Sequence, residues 1–282
     1  MRQWAIKRFL REGIEPTHVN ADELLAHCLG VARGELCGVT RPLNEKESEL
    51  FQKLVERRLK REPLQQIVGH WGFWSFDLKV TRDVMVPRPE TECLVEEALV
   101  LARTCGKGKL RILDLGTGSG NIAIALAHEL SRAQVTATDI SREALAVAKE
   151  NAQILGLEER IVFLQGDLFL PVARKRFDLI VSNPPYIPTA VIRSLDPEIR
   201  CFEPMIALDG GEDGLGFYRR IIAQAERHIS SGGWLFLEAG DGQAQSAAEM
   251  MEEKGFQRIG TVKDLLGIPR VVKGSWGWTR SS

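Results

Sequence analysis

The chain has 282 residues, long for one domain, so a large domain beside a small one is the expected division. Its 37 Lys and Arg residues nearly cancel its 38 Asp and Glu residues, and this formal charge of -1 leaves no global basic excess for a polyphosphate partner, so nucleic acid is disfavoured. Hydrophobic residues make up 44% of the chain, ample for a buried core, and no apolar run approaches the roughly 18 residues of a membrane span.

The five cysteines (Cys28, Cys37, Cys93, Cys105 and Cys201) are scattered, with no Cys-x-x-Cys pair, and the five His residues do not cluster with them. That usage reads as reduced thiols in a cytosolic protein, with no metal site. The start, MRQWAIKRFLREGIEP, lacks the apolar core of a secretory signal, and no transit peptide is seen. A cytoplasmic monomer is expected, with a mitochondrial address left open only for a eukaryotic source.

Residues 1 to about 75 read as helical. Ala21 to Leu29 offers a short amphipathic helix stopped by Gly30 and Gly34. Asn44-Glu45-Lys46-Glu47 has capping-box spacing, and Leu50, Phe51, Leu54, Val55 and Leu59 behind it share one helical face. The basic run from Glu56 to Arg61 reads either as a solvated face or as a docking surface for an acidic partner. Val68 to Val80 is aromatic and β-branched with partial alternation, which predicts a bridging hairpin. The division expected is residues 1–75 and 76–282.

From about residue 108 strands and helices alternate. Apolar runs at Leu110–Leu115, Val135–Thr138, Ile161–Leu164, Phe177–Val181 and Trp234–Leu237 are separated by helical patterns such as Asn121–Leu130 and Ser141–Leu155. This α/β alternation implies a parallel sheet covered on both faces, with ligands bound beyond the carboxyl ends of its strands.

The first of these strands runs into Gly116-Thr117-Gly118-Ser119-Gly120 and then a helix. Glycines there permit a sharp turn and close approach of a ligand. The motif is shared by several nucleotide-binding families, but the third glycine comes one residue early for a dinucleotide fingerprint that cradles pyrophosphate. The second strand ends in Asp139, placed to accept from two ribose hydroxyls. The third ends near Asp167 and Leu168, an acceptor for an adenine amine and an apolar wall for the ring. Adenosine without phosphate is what these parts describe, and S-adenosylmethionine fits it. Each Asp could equally cap a loop or helix, since Asp is common at strand ends.

The fourth strand ends at Asn183-Pro184-Pro185-Tyr186. Two prolines fix the backbone and remove two donors, so carbonyls stay free to accept, and the Asn side-chain oxygen adds another acceptor. Such a set suits a substrate NH₂ group, with Tyr186 as an aromatic wall. An amide nitrogen is a poor nucleophile, so holding its hydrogens and aligning it with a methyl donor matters more than a general base. Alignment alone is worth roughly 7–11 kcal/mol. Without the flanking sheet, the same tetrapeptide would read as a Pro-rich turn.

On these residues the chain resembles the release-factor glutamine methyltransferase family, called HemK-type or PrmC-type. The matching stretches are REPLQQIVG (61–69), VPRPETE (86–92), DLGTGSGNIAIAL (114–126), SNPPYIP (182–188) and PEIRCFEPMIALDGGEDGLGFYRRI (197–221). The resemblance implies a Rossmann-like class I methyltransferase sheet with a small N-terminal helical domain. It implies methyl transfer from S-adenosyl-L-methionine to N5 of the glutamine in the Gly-Gly-Gln loop of a peptide chain release factor. Carried over by position, Gly116 to Gly120, Asp139, Leu168 and Asn183 would bind the donor, and Asn183 to Tyr186 the glutamine, while the helical domain docks the release factor. Gln66 and Ser75 depart from the usual Tyr and Gly. Ribosomal-protein glutamine methyltransferases are similar but typically lack the Pro-Glu-Thr-Glu run, which otherwise reads as a helix start with Pro early and acids in the first turn. Nucleic-acid amino-N methyltransferases use related motifs but need a basic cleft and a base-reading region. A donor-binding adapter without turnover is the third reading.

Overall fold

The computed structural model describes residues 1–105 and 108–277. It opens with helices α1 (Arg2–Arg11), α2 (Thr17–Leu29), α3 (Glu45–Leu59) and α4 (Leu64–Val68). Phe9, Leu24, Phe51, Val55 and Ile67 meet in a core of their own. The capping box forms: Asn44 Oδ1 accepts from the Glu47 amide at 2.9 Å, and Glu47 Oε2 accepts from the Asn44 amide at 2.8 Å. Leu50, expected on the buried stripe, is 41% exposed, because the stripe centres on Phe51, Leu54 and Val55 one residue later. Helix α2 starts four residues before the expected Ala21 and ends at Gly30, whose φ of 66° is the left-handed cap that glycine adopts without strain.

The basic run is solvated only in part: Glu56, Arg57 and Lys60 are exposed, whereas Arg58 and Arg61 turn into the fold. Arg58 is 5% exposed. Its Nε donates to Asn20 Oδ1 at 2.7 Å and its Nη2 to Glu198 Oε1 at 2.8 Å. Arg61 binds the other oxygen of Glu198, and Arg57 pairs with Glu62. Each of these three cations has an acidic mate, and two of them tie the helical bundle to α9 (Pro197–Arg200) in the second half of the chain. Gln66 adds a third tie, donating to the Phe202 carbonyl at 3.2 Å.

The hairpin forms from β1 (His70–Phe73) and β2 (Phe76–Lys79), so the boundary expected after residue 75 falls in its turn. Helix α5 (Thr91–Thr104) follows, with Glu90 as its cap, which leaves Pro89 outside the first turn rather than in it. Then come β3 (Arg111–Leu115), α6 (Asn121–Glu129), β4 (Gln134–Asp139), α7 (Arg142–Ile154), β5 (Ile161–Gln165) and β6 (Phe177–Ser182). After the short α8 (Thr189–Ile192) and α9 come α10 (Gly216–Ala225), β7 (Ile229–Glu238), α11 (Ala244–Lys254), β8 (Gln257–Lys263) and β9 (Pro269–Ser275).

The sheet has seven strands in the order β5-β4-β3-β6-β7-β9-β8. The first five are parallel, whereas β9 runs antiparallel to β7 and β8 to β9. An all-parallel sheet was expected, and the final hairpin was not. Its strands, QRIGTVK and PRVVKGS, carry Gly, Pro and exposed charges and give little periodic signal. One face of the sheet packs on α5 and α6 through Leu94, Ala98, Ile122 and Leu126. The other packs on α10 and α11 through Tyr218, Ile222, Ala247 and Met251. Helices on both faces bury the central strands, so β6 reads as the continuous run FDLIVS, buried at every position. The carboxyl ends of β3, β4, β5 and β6 therefore open along one edge.

Removing one member of a largely buried ion pair strands its partner. Arg58→Ala is expected to cost about 2–4 kcal/mol, reduced from a full loss because Arg61 still meets Glu198. Denaturant unfolding measures it, and an unchanged midpoint would remove this pair from the joint.

Candidate functional site

The turn after β3 is built on left-handed backbone, with φ of 71° at Gly116, 54° at Gly118 and 85° at Gly120. A Cβ at Gly116 or Gly118 would meet no protein atom within 4 Å. Those two therefore border open space that a ligand can enter. Gly120 differs: its Cβ would lie 3.1 Å from Ala148 and 3.2 Å from Ile124, so it lets α6 approach α7 and does not line the cleft. Beneath the turn, Thr117 Oγ1 donates to Asp114 Oδ2 at 2.6 Å. Burial, with the neighbouring charge of Asp139, pushes the Asp114 carboxyl up to about 7 against that bond. Asn151 on α7 donates to the Ser119 carbonyl at 2.9 Å and fixes the far side of the turn.

At the end of β4, Asp139 Oδ2 accepts from the Gly118 amide and Oδ1 from the Ser141 amide, both at 2.9 Å. Each oxygen keeps a lone pair for a further donor. Burial raises the carboxyl above its ordinary value while these amides oppose the shift. At the end of β5, Asp167 forms an ion pair with Arg220, whose guanidinium lies 5.3 Å from the Phe217 ring centre. Leu168 sits at φ 48°, and its carbonyl accepts from Thr138 Oγ1 at 3.2 Å. The open backbone at Gly116 and Gly118 and the acceptor capacity of Asp139 fit a nucleoside bearing an uncharged, vicinal diol.

After β6, Asn183 donates through Nδ2 to Thr91 Oγ1 at 3.1 Å. Asn183, Pro184 and Pro185 line the same cleft as Gly116, Thr117, Gly118, Ser119, Asp139, Asp167 and Leu168. The two corners are joined from behind, where buried Ser182 donates from Oγ to the Leu115 carbonyl at 2.7 Å. Tyr186 does not line this cleft. Its carbonyl accepts from Gln243 Nε2 at 2.8 Å, and Gly210, Gly214 and Gly240 press against it so closely that a Cβ on any of them would fall within 3 Å of Tyr186 atoms. Burial raises the Tyr186 hydroxyl pKa.

Several lining residues escaped sequence reading. Met85 and Pro87 form part of the wall, Ile140 and Phe217 offer apolar surface, and Arg220 closes the Asp167 side. Pro204, Ile206 and Ala207 form another stretch. For Pro87, Pro204, Ile206, Ala207, Phe217 and Arg220 the sequence signal was position within the VPRPETE and PEIRCFEPMIALDGGEDGLGFYRRI stretches, whereas Met85 and Ile140 lie outside both. VPRPETE has several separate roles: Arg88 pairs with Glu203, Thr91 holds Asn183, and Glu92 accepts from the Trp74 amide at 2.6 Å. Among the described residues no His, Cys, Asp or Glu group is placed to hold a metal ion, and no helix is long and apolar enough to cross a membrane.

A family model for the PrmC N-terminal domain matches residues 1–69, and one for a methyltransferase domain matches residues 106–269. The release factor glutamine methyltransferase of Geobacter sulfurreducens is 44% identical, with 97% of this chain and 98% of that one covered. The protein of the same name from Caulobacter vibrioides is 43% identical over 93% of this chain and 90% of its own. Among solved structures, a methyltransferase from Pyrococcus furiosus superposes with a TM-score of 0.54 over 73% of this chain and 92% of its own, at 19% identity. The hMettl16 catalytic domain reaches 0.57 over 73% and 77%, at 16% identity. At such identities the likeness concerns the fold alone.

Asp139→Ala removes two backbone anchors of the glycine turn together with the diol acceptor. Titration calorimetry with S-adenosylmethionine is expected to show a dissociation constant weakened by about 10- to 100-fold. An unchanged constant would refute the ribose assignment.

Proposed function

The chain belongs to the release factor glutamine methyltransferases, and from that membership we propose that it methylates the N5 side-chain amide of the glutamine in the Gly-Gly-Gln loop of peptide chain release factors. Its sheet is that of a class I S-adenosylmethionine-dependent methyltransferase. The observation that carries the substrate chemistry is that the Asn183-Pro184-Pro185 corner and the glycine turn line one cleft.

Bound S-adenosylmethionine supplies a methyl group on a positive sulfonium. Gly116 and Gly118 give its backbone-facing side room, Asp139 accepts from its ribose, and Asp167, Leu168 and Ile140 border its adenine. Asn183 Oδ1 carries no hydrogen bond from the described residues, so it accepts one N–H of the substrate amide. A carbonyl of the proline pair accepts the other. Both bonds raise electron density on nitrogen and hold it in line with the methyl group, the orientation term that dominates for a weak nucleophile. Tyr186 acts from behind, stiffening the corner through its backbone. Among the described residues no His lines the cleft, and the methylated amide cation is acidic enough to lose its proton to water. The helical bundle, already tied to α9, is the surface proposed to meet the body of the release factor, in the cytoplasm.

Purified release factor and duplex DNA, offered side by side with labelled donor, test the reading. Label on release factor is expected, with mass spectrometry placing one methyl on the glutamine, and label only on DNA would end the proposal. Asn183→Ala should hold the donor with little change yet lose about 100-fold or more in kcat. Unimpaired turnover would take Asn183 out of the mechanism.

A further inference from the structure

An amide is the same group on every glutamine, so the Asn183-Pro184-Pro185 corner can orient its substrate but cannot tell one glutamine from another. Discrimination has to come from surface beside the cleft. Strand β9 lies antiparallel beside β7, pairing Val271 with Glu238, and β8 pairs Lys263 with Pro269. The turn between β8 and β9, residues 264–268, therefore stands on the carboxyl edge of the sheet, the edge that carries the glycine turn and the Asn183 corner. Two strand spacings, about 10 Å, separate β9 from β6, where that corner begins. At the tip of the turn Leu265 is fully exposed and Leu266 is 81% exposed, more than any other large apolar side chain among the described residues.

An ordered frame displays these two leucines. Asp264 Oδ1 accepts from the Leu266 and Ile268 amides, both at 3.0 Å, and the Gly267 amide donates to the Asp264 carbonyl at 2.9 Å, closing the turn. Asp264 Oδ2 accepts from Arg270 Nη2 at 3.2 Å, and Arg270 Nη1 donates to the Ala239 carbonyl at 3.3 Å. Gly240, next along the chain, presses on Tyr186. A second line runs through α5: Cys93 Sγ donates to the Lys263 carbonyl at 3.8 Å, and two residues earlier Thr91 accepts from Asn183. The tip is thus fixed to the reacting corner from two sides. Turns favour Gly, Pro, Asn, Asp and Ser, and neither leucine gives the hairpin buried surface. A lone exposed leucine needs no explanation, but an adjacent pair held out on a braced turn beside the reacting edge does.

We propose that Leu265 and Leu266 form a docking knob for the protein substrate, receiving an apolar side chain about three to five residues from the methylated glutamine and so helping to select which glutamine is modified. The inference rests on the release-factor reading above and deepens it. The spacing follows from the edge, because an extended chain covers about 10 Å in roughly three residues. Continuity with the reacting corner favours the substrate over two other occupants. A lipid surface would call for unpaired cations beside the leucines, whereas Arg270 at the base of the turn is tied to Asp264. A second copy of the chain would need roughly 800 Å² from each partner, well beyond two side chains, while a substrate already held in the cleft needs only an added contact.

The test compares wild type with a double serine variant (Leu265→Ser with Leu266→Ser), a double methionine variant (Leu265→Met with Leu266→Met) and Ile154→Ser, which alters another exposed apolar side chain at the far end of α7. Each is measured for kcat and KM on release factor, donor Kd and melting temperature. The double serine variant should raise KM about 10- to 100-fold, while kcat at saturation, donor Kd and melting temperature hold. The double methionine variant, still apolar, should stay within about threefold of wild type, and Ile154→Ser should match wild type. Photoreactive p-benzoylphenylalanine in place of Leu265 should cross-link to release factor, with mass spectrometry placing the link within about five residues of the glutamine. An unchanged KM in the double serine variant, a methionine variant equally impaired, or links only outside that span would each overturn the knob. Phosphatidylglycerol vesicles that sediment wild type but not the serine variant would give the leucines to a membrane and overturn it as well. So would a wild-type dimer in analytical ultracentrifugation that the serine variant dissociates. A wild type that leaves release factor unmethylated would defeat the functional reading, and the cross-link then decides the knob separately. Methylation by wild type and by the serine variant with equal KM would defeat the knob alone.

Discussion

The hydrogen bond from Ser182 Oγ to the Leu115 carbonyl joins the two halves of the site at their root. It is fully buried and connects the last residues of β3 and β6, neighbours in the sheet whose register pairs Leu115 with Ser182. The glycine turn leaves one strand and the Asn183 corner leaves the other, so their separation is set by sheet geometry rather than by loops. A parallel sheet ends its strands on one edge, and each corner starts from a fixed point on it. Methyl transfer to a weak nucleophile tolerates little misplacement, and building both halves on adjacent strands supplies that rigidity.

Much of this was legible in the sequence, and for identifiable reasons. The central strands are buried on both faces, so they appear as uninterrupted apolar runs; the turn and the corner stand out because glycine and proline restrict backbone in ways few other residues do. The β8–β9 hairpin was not legible, because the edge strand β8 and its neighbour β9 mix charges with Gly260 and Pro269 and carry no clean period. Nor was the fate of Arg58. A run of cations on a helix looks solvated until the fold brings Glu198, 140 residues away, against it. Within the site, Gly120 and Tyr186 were assigned to ligands from position in their motifs, whereas Gly120 accommodates Ala148 and Tyr186 is gripped by three glycines and Gln243. A motif says which residues matter and leaves open whether each touches ligand or protein.

VPRPETE illustrates the same point from the other side. As a sequence it reads as a helix start, and it does precede α5. Its residues also diverge to separate places: Pro87 to the cleft wall, Arg88 to Glu203, Thr91 to Asn183 and Glu92 to the hairpin backbone at Trp74. One short segment therefore fixes the hairpin, the cleft wall and the reacting corner relative to one another. Partners 18 to 115 residues distant in the chain leave no local trace, which is why the motif's chemistry was invisible before the fold.

The stretch from Glu198 to Ala207 has a mechanical consequence. Glu198 is held by Arg58 and Arg61, Phe202 by Gln66, and Glu203 by Arg88, while Pro204, Ile206 and Ala207 immediately beyond them form cleft wall. The anchor of the helical bundle and the rim of the cleft are thus successive links of one short tether. A load placed on the bundle by a large partner is delivered, within a few peptide bonds, to the wall of the cleft proposed to hold the methyl donor.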